Sequence, residues 1–275
     1  MANQPRSGFL ETLSAAIDDI IAHGFDSQER IAYWVDRLRR VASWSMMPLN
    51  RLEEHLNKTF RAIYQSKIEK GTILQRHPGI ARFTLEKVKP KLRLELDRRI
   101  MASASLIKLN RQRAIETTLQ RFAGWSTSIP PGGTDIPKRA EVKTNIRSAL
   151  ASLPFTERRV AIDQGHKFVN NLSNILATDG GAIAGIWHSH WRQLNYDFRP
   201  DHKERDLLVY TIRNNWAQEA GLMKAGDAGY SDQITQPGEE VYCRCYYQYL
   251  YSIRRLDDEM ITVKGRAELE RAKVA

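Results

Sequence analysis

Trp187-His188-Ser189-His190-Trp191, Arg199-Pro200-Asp201-His202-Lys203-Glu204-Arg205-Asp206 and Pro237-Gly238-Glu239-Glu240-Val241-Tyr242-Cys243-Arg244-Cys245 belong to one stretch whose reading decides the fold. Trp187 to Cys245 holds three of the seven histidines, three of the six tryptophans and both cysteines. Here the helical spacing of the earlier chain gives way to strand patterns. Ala182 to Trp187 is small and apolar, and Leu207 to Ile212 is rich in β-formers. Glu240 to Tyr251 alternates, placing Tyr242, Arg244 and Tyr246 on one face of an expected strand and Cys243, Cys245 and Tyr247 on the other. Between them Trp216 to Met223 carries a short helical pattern, and Gly226, Gly229 and Pro237-Gly238 mark a loop.

Upstream, residues 7 to 69 read as three helices. Phe9, Leu10, Leu13, Ile17, Ile20 and Ile21 form the first apolar stripe, stopped at Gly24. Asp26 is the expected cap of a second helix striped by Ile31, Trp34, Val35, Leu38 and Val41. Pro48 opens a third, with Leu49, Leu52, Leu56, Phe60, Ile63 and Tyr64 on its stripe and Gly71 at its end. Helical spacing resumes from Ile80 to Phe122, with Pro90 as a fresh first-turn residue or a kink. Pro137 to Leu150 suggests a short helix, and Pro154 to about Ala177 a longer one ended by Gly180-Gly181. The expected fold class is α+β, a mainly helical N-terminal half followed by a small α+β module with a short sheet. The expected division is a helical domain over 1–123, a Pro/Gly linker over 124–136, the α+β module over 137–262 and a basic tail over 263–275.

Composition narrows the function classes. A chain of 275 residues with 42% hydrophobic residues can bury a sizeable core, and its net charge of +10 favours nucleic acid or an acidic protein as partner. Without a signal-like leader or an apolar run of about eighteen residues, neither export nor membrane spanning is expected, and a cytoplasmic start is. The basic residues concentrate between Lys87 and Arg121, where ten face only Glu95, Asp97 and Glu116. Lys87, Lys89, Lys91, Arg93, Arg98, Arg99, Lys108, Arg111 and Arg113 are the candidate nucleic-acid or partner contacts. No aromatic residue interleaves with them, so DNA contact there would be sequence-blind and salt-sensitive.

By residue type, His188, His190, His202, Cys243 and Cys245 could ligate zinc. Their spacing argues otherwise, because zinc knuckles present CxxC on a turn whose amides support the sulfurs, and a CxC in a strand lacks that turn. In a strand the two Cα atoms would stand roughly 6 to 7 Å apart, which also disfavours a disulfide. A Cys nucleophile with His202 as base needs an exposed, acidic thiol, and nothing in the sequence places Asp201, Glu204 or Asp206 to support it. A metal-dependent nuclease or hydrolase is the alternative function, although no P-loop, paired acidic centre or His-Asn-His arrangement accompanies the cluster. The expectation is therefore no catalytic residue and no cofactor, zinc being the exception if the cysteines and histidines meet. The structural core of the module is expected at Trp187, Ser189, Arg199, His202, Arg205, Cys243, Arg244 and Cys245.

These residues resemble the C-terminal module of tailed-phage head morphogenesis proteins, the group typified by the minor head protein F of phage Mu. Four pieces occur in the family's order over about residues 155–250. They are a helix with a basic-acidic cluster, here Arg158 to His166, and a Trp-x-Ser/Thr strand, here Trp187 to Ser189. An Arg-x-x-His element follows at Arg199 to His202, then a closing Asn/Tyr-Cys-Arg-Cys at Tyr242 to Cys245. One departure is Leu207, where the family often turns at a glycine. The resemblance implies a minor virion head component made in the host cytoplasm and present in several copies per particle. It would associate with portal, major capsid or scaffold proteins, with non-specific DNA contact and no membrane.

Overall fold

A computed structural model describes residues 4–48, 50–134 and 139–274 of the chain. Its helices are α1 (Gln4–His23), α2 (Gln28–Ser45), α3 (Asn50–Tyr64), α4 (Arg82–Ser126), α5 (Arg139–Ala151) and α6 (Leu153–Asp179), then the short α7 (Pro200–Glu204) and α8 (Trp216–Glu219) and the terminal α9 (Val263–Val274). Three strands, β1 (Ala184–His188), β2 (Val209–Thr211) and β3 (Tyr246–Leu250), form an antiparallel sheet in the order β2-β1-β3. The α+β class and the helical first half agree with the sequence reading.

Local details differ where side chains compete for the same job. Ser27, not Asp26, caps α2: its hydroxyl accepts the Arg30 N–H, while the Asp26 carboxylate binds the Arg30 guanidinium. Pro90 lies inside α4, a single helix, because Leu85, Val88, Leu92 and Leu96 bury one face on both sides of it. Leu49, expected on the third stripe, lies outside the described residues. The 263–275 tail is helical through Val274.

Tertiary contacts divide the chain into two compact units that do not follow the 124–136 boundary: residues 1–57 with 101–161, and residues 58–100 with 162–275. Residues 135 and 136 of the expected linker lie outside the described residues. Its first part is not a free connector, since Gly124 to Ser126 complete α4. Gly132 and Thr134 then donate backbone bonds to His23 and Ile21 at the end of α1, and Phe25 donates to Ile129. Proline and glycine mark a turn here that folds back onto a helix end.

In the first unit α1 is the central element, with Phe9, Leu13, Ile17, Ile20 and Ile21 all buried against Leu38 of α2, Leu119 and Phe122 of α4, and Ile146 and Leu150 of α5. In the second, Phe60 of α3 meets Phe168 of α6 edge to face at 5.7 Å. The sheet buries Ala184 and Leu250 with Met223, Met260 and Ile261 in one cluster. Trp187, Tyr210, Tyr247 and both cysteines occupy another. Gly185 is required there, because a Cβ would sit 2.9 Å from the Tyr247 ring across the ladder.

His77 is buried in the second unit, its Nδ1 2.6 Å from the Tyr251 hydroxyl. Burial, helped by the Arg76 charge, depresses its pKa from the usual 6.5 to about 4. The unfolded chain therefore takes up a proton at a pH where the folded chain does not, and stability falls as pH drops from about 6.5 to about 4. The slope is at most about 1.4 kcal/mol per pH unit. Urea unfolding across that window should show this decline in the native sequence and a flatter profile in His77→Leu; equal slopes would contradict the assignment.

Candidate functional site

The sequence places a helix start, a strand end and a turn around one imidazole. Pro200 at the first position fixes the entry of α7, whose first turn carries His202 into the interior at 2% exposure. β1 ends beneath it, so the Trp187 ring meets the His202 ring edge to face at 5.2 Å, with the Arg205 guanidinium over the tryptophan at 5.3 Å. The third component is the segment Pro237 to Cys245.

That segment is not the expected strand. β3 begins only at Tyr246, and the residues before it turn: Cys243 N–H donates to Glu240 O, and Tyr242 adopts φ 62°. The reason is the company the backbone keeps on α6. Asp163 Oδ1 accepts the Tyr242 N–H at 2.6 Å, and Asn170 Nδ2 donates to Pro237 O and Cys245 O. Lys167 Nζ donates to Glu239 O. Gly238, at φ 81°, passes so close to Asn170 that a Cβ would sit 2.3 Å from Nδ2. Alternating residue types thus describe a turn clamped to a helix, and tertiary bonds override β-propensity.

The turn aims both sulfurs at His202. Cys243 Sγ lies 3.5 Å and Cys245 Sγ 3.4 Å from Nδ1, and each cysteine is 1% exposed. On the far side of the ring Nε2 is 3.2 Å from Glu240 Oε2, and that carboxylate is gripped by Arg199 Nε at 2.6 Å. Gly238 N–H donates to Cys243 Sγ at 3.3 Å, and the Ser189 hydroxyl and His190 N–H face Cys245. Both thiols are free. The neighbouring Cys245 thiol and the Gly238 N–H, against burial, lower Cys243, whereas the Cys243 thiol and burial push Cys245 up.

Among the metal candidates, His202, Cys243 and Cys245 come together as a group that could hold an ion, and His188 and His190 do not. His188 stacks on Tyr246 at 5.0 Å and bonds Gln248, while His190 sits beside Tyr196 and Tyr246. The HxH loop is held by Asp206, which accepts the Ser189 N–H and Trp191 Nε1, both at 2.8 Å. Burial raises the Asp206 pKa, but these two bonds outweigh it and leave the carboxyl below its ordinary range. Of the expected structural core, Trp187, Ser189, Arg199, His202, Arg205, Cys243 and Cys245 all border this centre. Arg244 lies over the Tyr196 ring instead. Asn170 and Glu240 were not assigned to the site in the sequence, and Asp163 stood there only as the acid of the Arg158–His166 cluster, since nothing local marks a carboxylate that receives a backbone N–H 79 residues away.

The basic residues of α4 are largely engaged. Lys89 pairs with Glu69 and Glu86, Lys91 with Asp179, Arg93 with Asp97, and Arg98 and the buried Arg99 with Glu95. Arg111 pairs with Glu157. Lys87, Lys108 and Arg113 are exposed with no ion pair among the described residues.

Compared with known proteins, the chain matches no family model, no curated protein and no solved structure.

The left-handed conformation of Tyr242 sets a test of this turn. Asparagine tolerates that conformation and a β-branched residue does not, so Tyr242→Val should be less stable than Tyr242→Asn by about 1–3 kcal/mol in chemical denaturation. Equal stability of the two variants would contradict a strained turn at this position.

Proposed function

We propose that the chain is a non-enzymatic minor component of a tailed-phage head, of the kind typified by the minor head protein F of phage Mu. In this reading it is made in the host cytoplasm, binds portal, major capsid or scaffold proteins, and enters the virion in several copies. The observation that carries it is convergence. The four short pieces of the resemblance, spread over about residues 155–250, meet at one place: Asp163 of the first receives the Tyr242 N–H of the last, and Trp187 of the second packs on His202 of the third. His202 in turn faces Cys243 and Cys245. Short pieces matched by accident would have no reason to assemble around one imidazole. Leu207, where the family often has glycine, adds to this with φ 70°, a backbone conformation that glycine suits best.

The non-enzymatic part rests on burial. Imidazole and thiols at 1–2% exposure hold a fold together and do not meet a substrate. A metal-dependent nuclease or hydrolase built on all five candidate ligands would need His188 and His190 at the cluster, and they pack on Tyr246 instead. No helix among the described residues is long and apolar enough to cross a membrane. Lys87, Lys108 and Arg113 are the residues best placed for DNA phosphates, and such contact would be sequence-blind and weakened by salt.

Quantitative mass spectrometry of procapsids and mature heads from a phage that encodes the chain should find it in both, at several copies per particle. Its absence from both would refute the assignment.

A further inference from the structure

The geometry points to a zinc ion held by His202 Nδ1, Cys243 Sγ and Cys245 Sγ, a structural metal centre that clamps the 237–245 turn to α7. The inference stands apart from the head-protein reading and would survive its failure.

The first argument is distance. A tetrahedral zinc with Zn–S near 2.3 Å and Zn–N near 2.05 Å sets each S···N edge at about 3.6 Å. The two edges observed here are 3.5 and 3.4 Å, and all three donor atoms lie within 4.8 Å of one another. A single Nδ1–H directed at one sulfur would have no reason to keep the other equally close. One ion bound by all three atoms explains the symmetry.

The second argument is the surrounding shell. Metal-bound imidazoles commonly present the other ring nitrogen to a carboxylate, which fixes the tautomer and makes the ligand nitrogen more basic. His202 Nε2 faces Glu240 Oε2 at 3.2 Å, and Arg199 positions that carboxylate. The amide support that a CxC in a strand would lack is present, because the turn brings Gly238 N–H to Cys243 and His190 N–H faces Cys245. The third argument is charge. Two adjacent buried thiols and an imidazole are a costly set to desolvate, and a divalent ion neutralises two thiolates outright.

Soft sulfur with imidazole in a tetrahedral arrangement selects zinc over the hard cations magnesium and calcium. Three protein donors supply three of the four positions. The Ser189 hydroxyl, buried beside Cys245 without a full hydrogen bond, is a polar neighbour suited to such a shell. With its ligands buried, the ion holds the fold.

Elemental analysis of the full-length chain, expressed with zinc and dialysed, should give about one zinc per chain. His188→Ala and His190→Ala should retain it, and Cys243→Ser with Cys245→Ser should lose it. Because those cysteine variants could fail to fold, the native chain loaded with cobalt provides the second readout, in which a thiolate-to-cobalt charge-transfer band is expected. Zinc well below one tenth of an equivalent with no such band would overturn the proposal. So would zinc that persists undiminished in a folded double serine variant, or stoichiometric iron or copper in its place.

Discussion

His202 is the constraint on which the C-terminal module depends. Two sulfurs lie at its Nδ1, a carboxylate lies at its Nε2, and the Trp187 ring meets the imidazole edge to face. The sulfurs and the carboxylate come from the segment before β3 and the tryptophan from β1, so one side chain ties α7, β1 and that segment together. The sheet is small, and a three-stranded ladder of short strands needs such support to be stable. Around the imidazole the polar groups form a chain of fixed partners, Arg199 holding Glu240 and α6 holding the turn through Asp163, Asn170 and Lys167.

Periodicity made the helical half legible. The α1 stripe was readable because every one of its apolar residues serves one core, and the strands β1 and β2 emerged where that period stopped. The errors share one physical cause: several local solutions were open and distant groups chose among them. Asp26 and Ser27 could each cap α2, and the arginine at 30 took the carboxylate. Pro130 to Thr134 has linker composition, yet its amides complete the end of α1. Tyr242 to Cys245 alternates like a strand, but the hydrogen bond from Tyr242 to Asp163 imposes a left-handed residue just before Cys243.

That last difference matters most for the site. Read as a strand, the CxC had no amide support and no reason to meet His202; folded as a turn, it has both. Residue types therefore identified three members of the centre, while its assembly depended on contacts between α6 and the turn that no local pattern encodes. The basic run along α4 is bulk composition, whereas most of its cations are paired, Lys89, Lys91 and Arg111 with carboxylates elsewhere in the chain and Arg98 and Arg99 with Glu95 of the same helix. Exposed pairs such as Lys91–Asp179 contribute little to stability individually, but the pairing leaves only a few cations of this run available to an external partner.

The central claim is that both thiols are buried at one imidazole and released only when the module opens. Pulsed alkylation of the native chain across a denaturant series, read by mass spectrometry, tests it directly. The account predicts that Cys243 and Cys245 stay unlabelled under native conditions and become reactive together, in the transition that unfolds the module. Rapid labelling of either thiol in the native protein, or release of the two in separate steps, would contradict it.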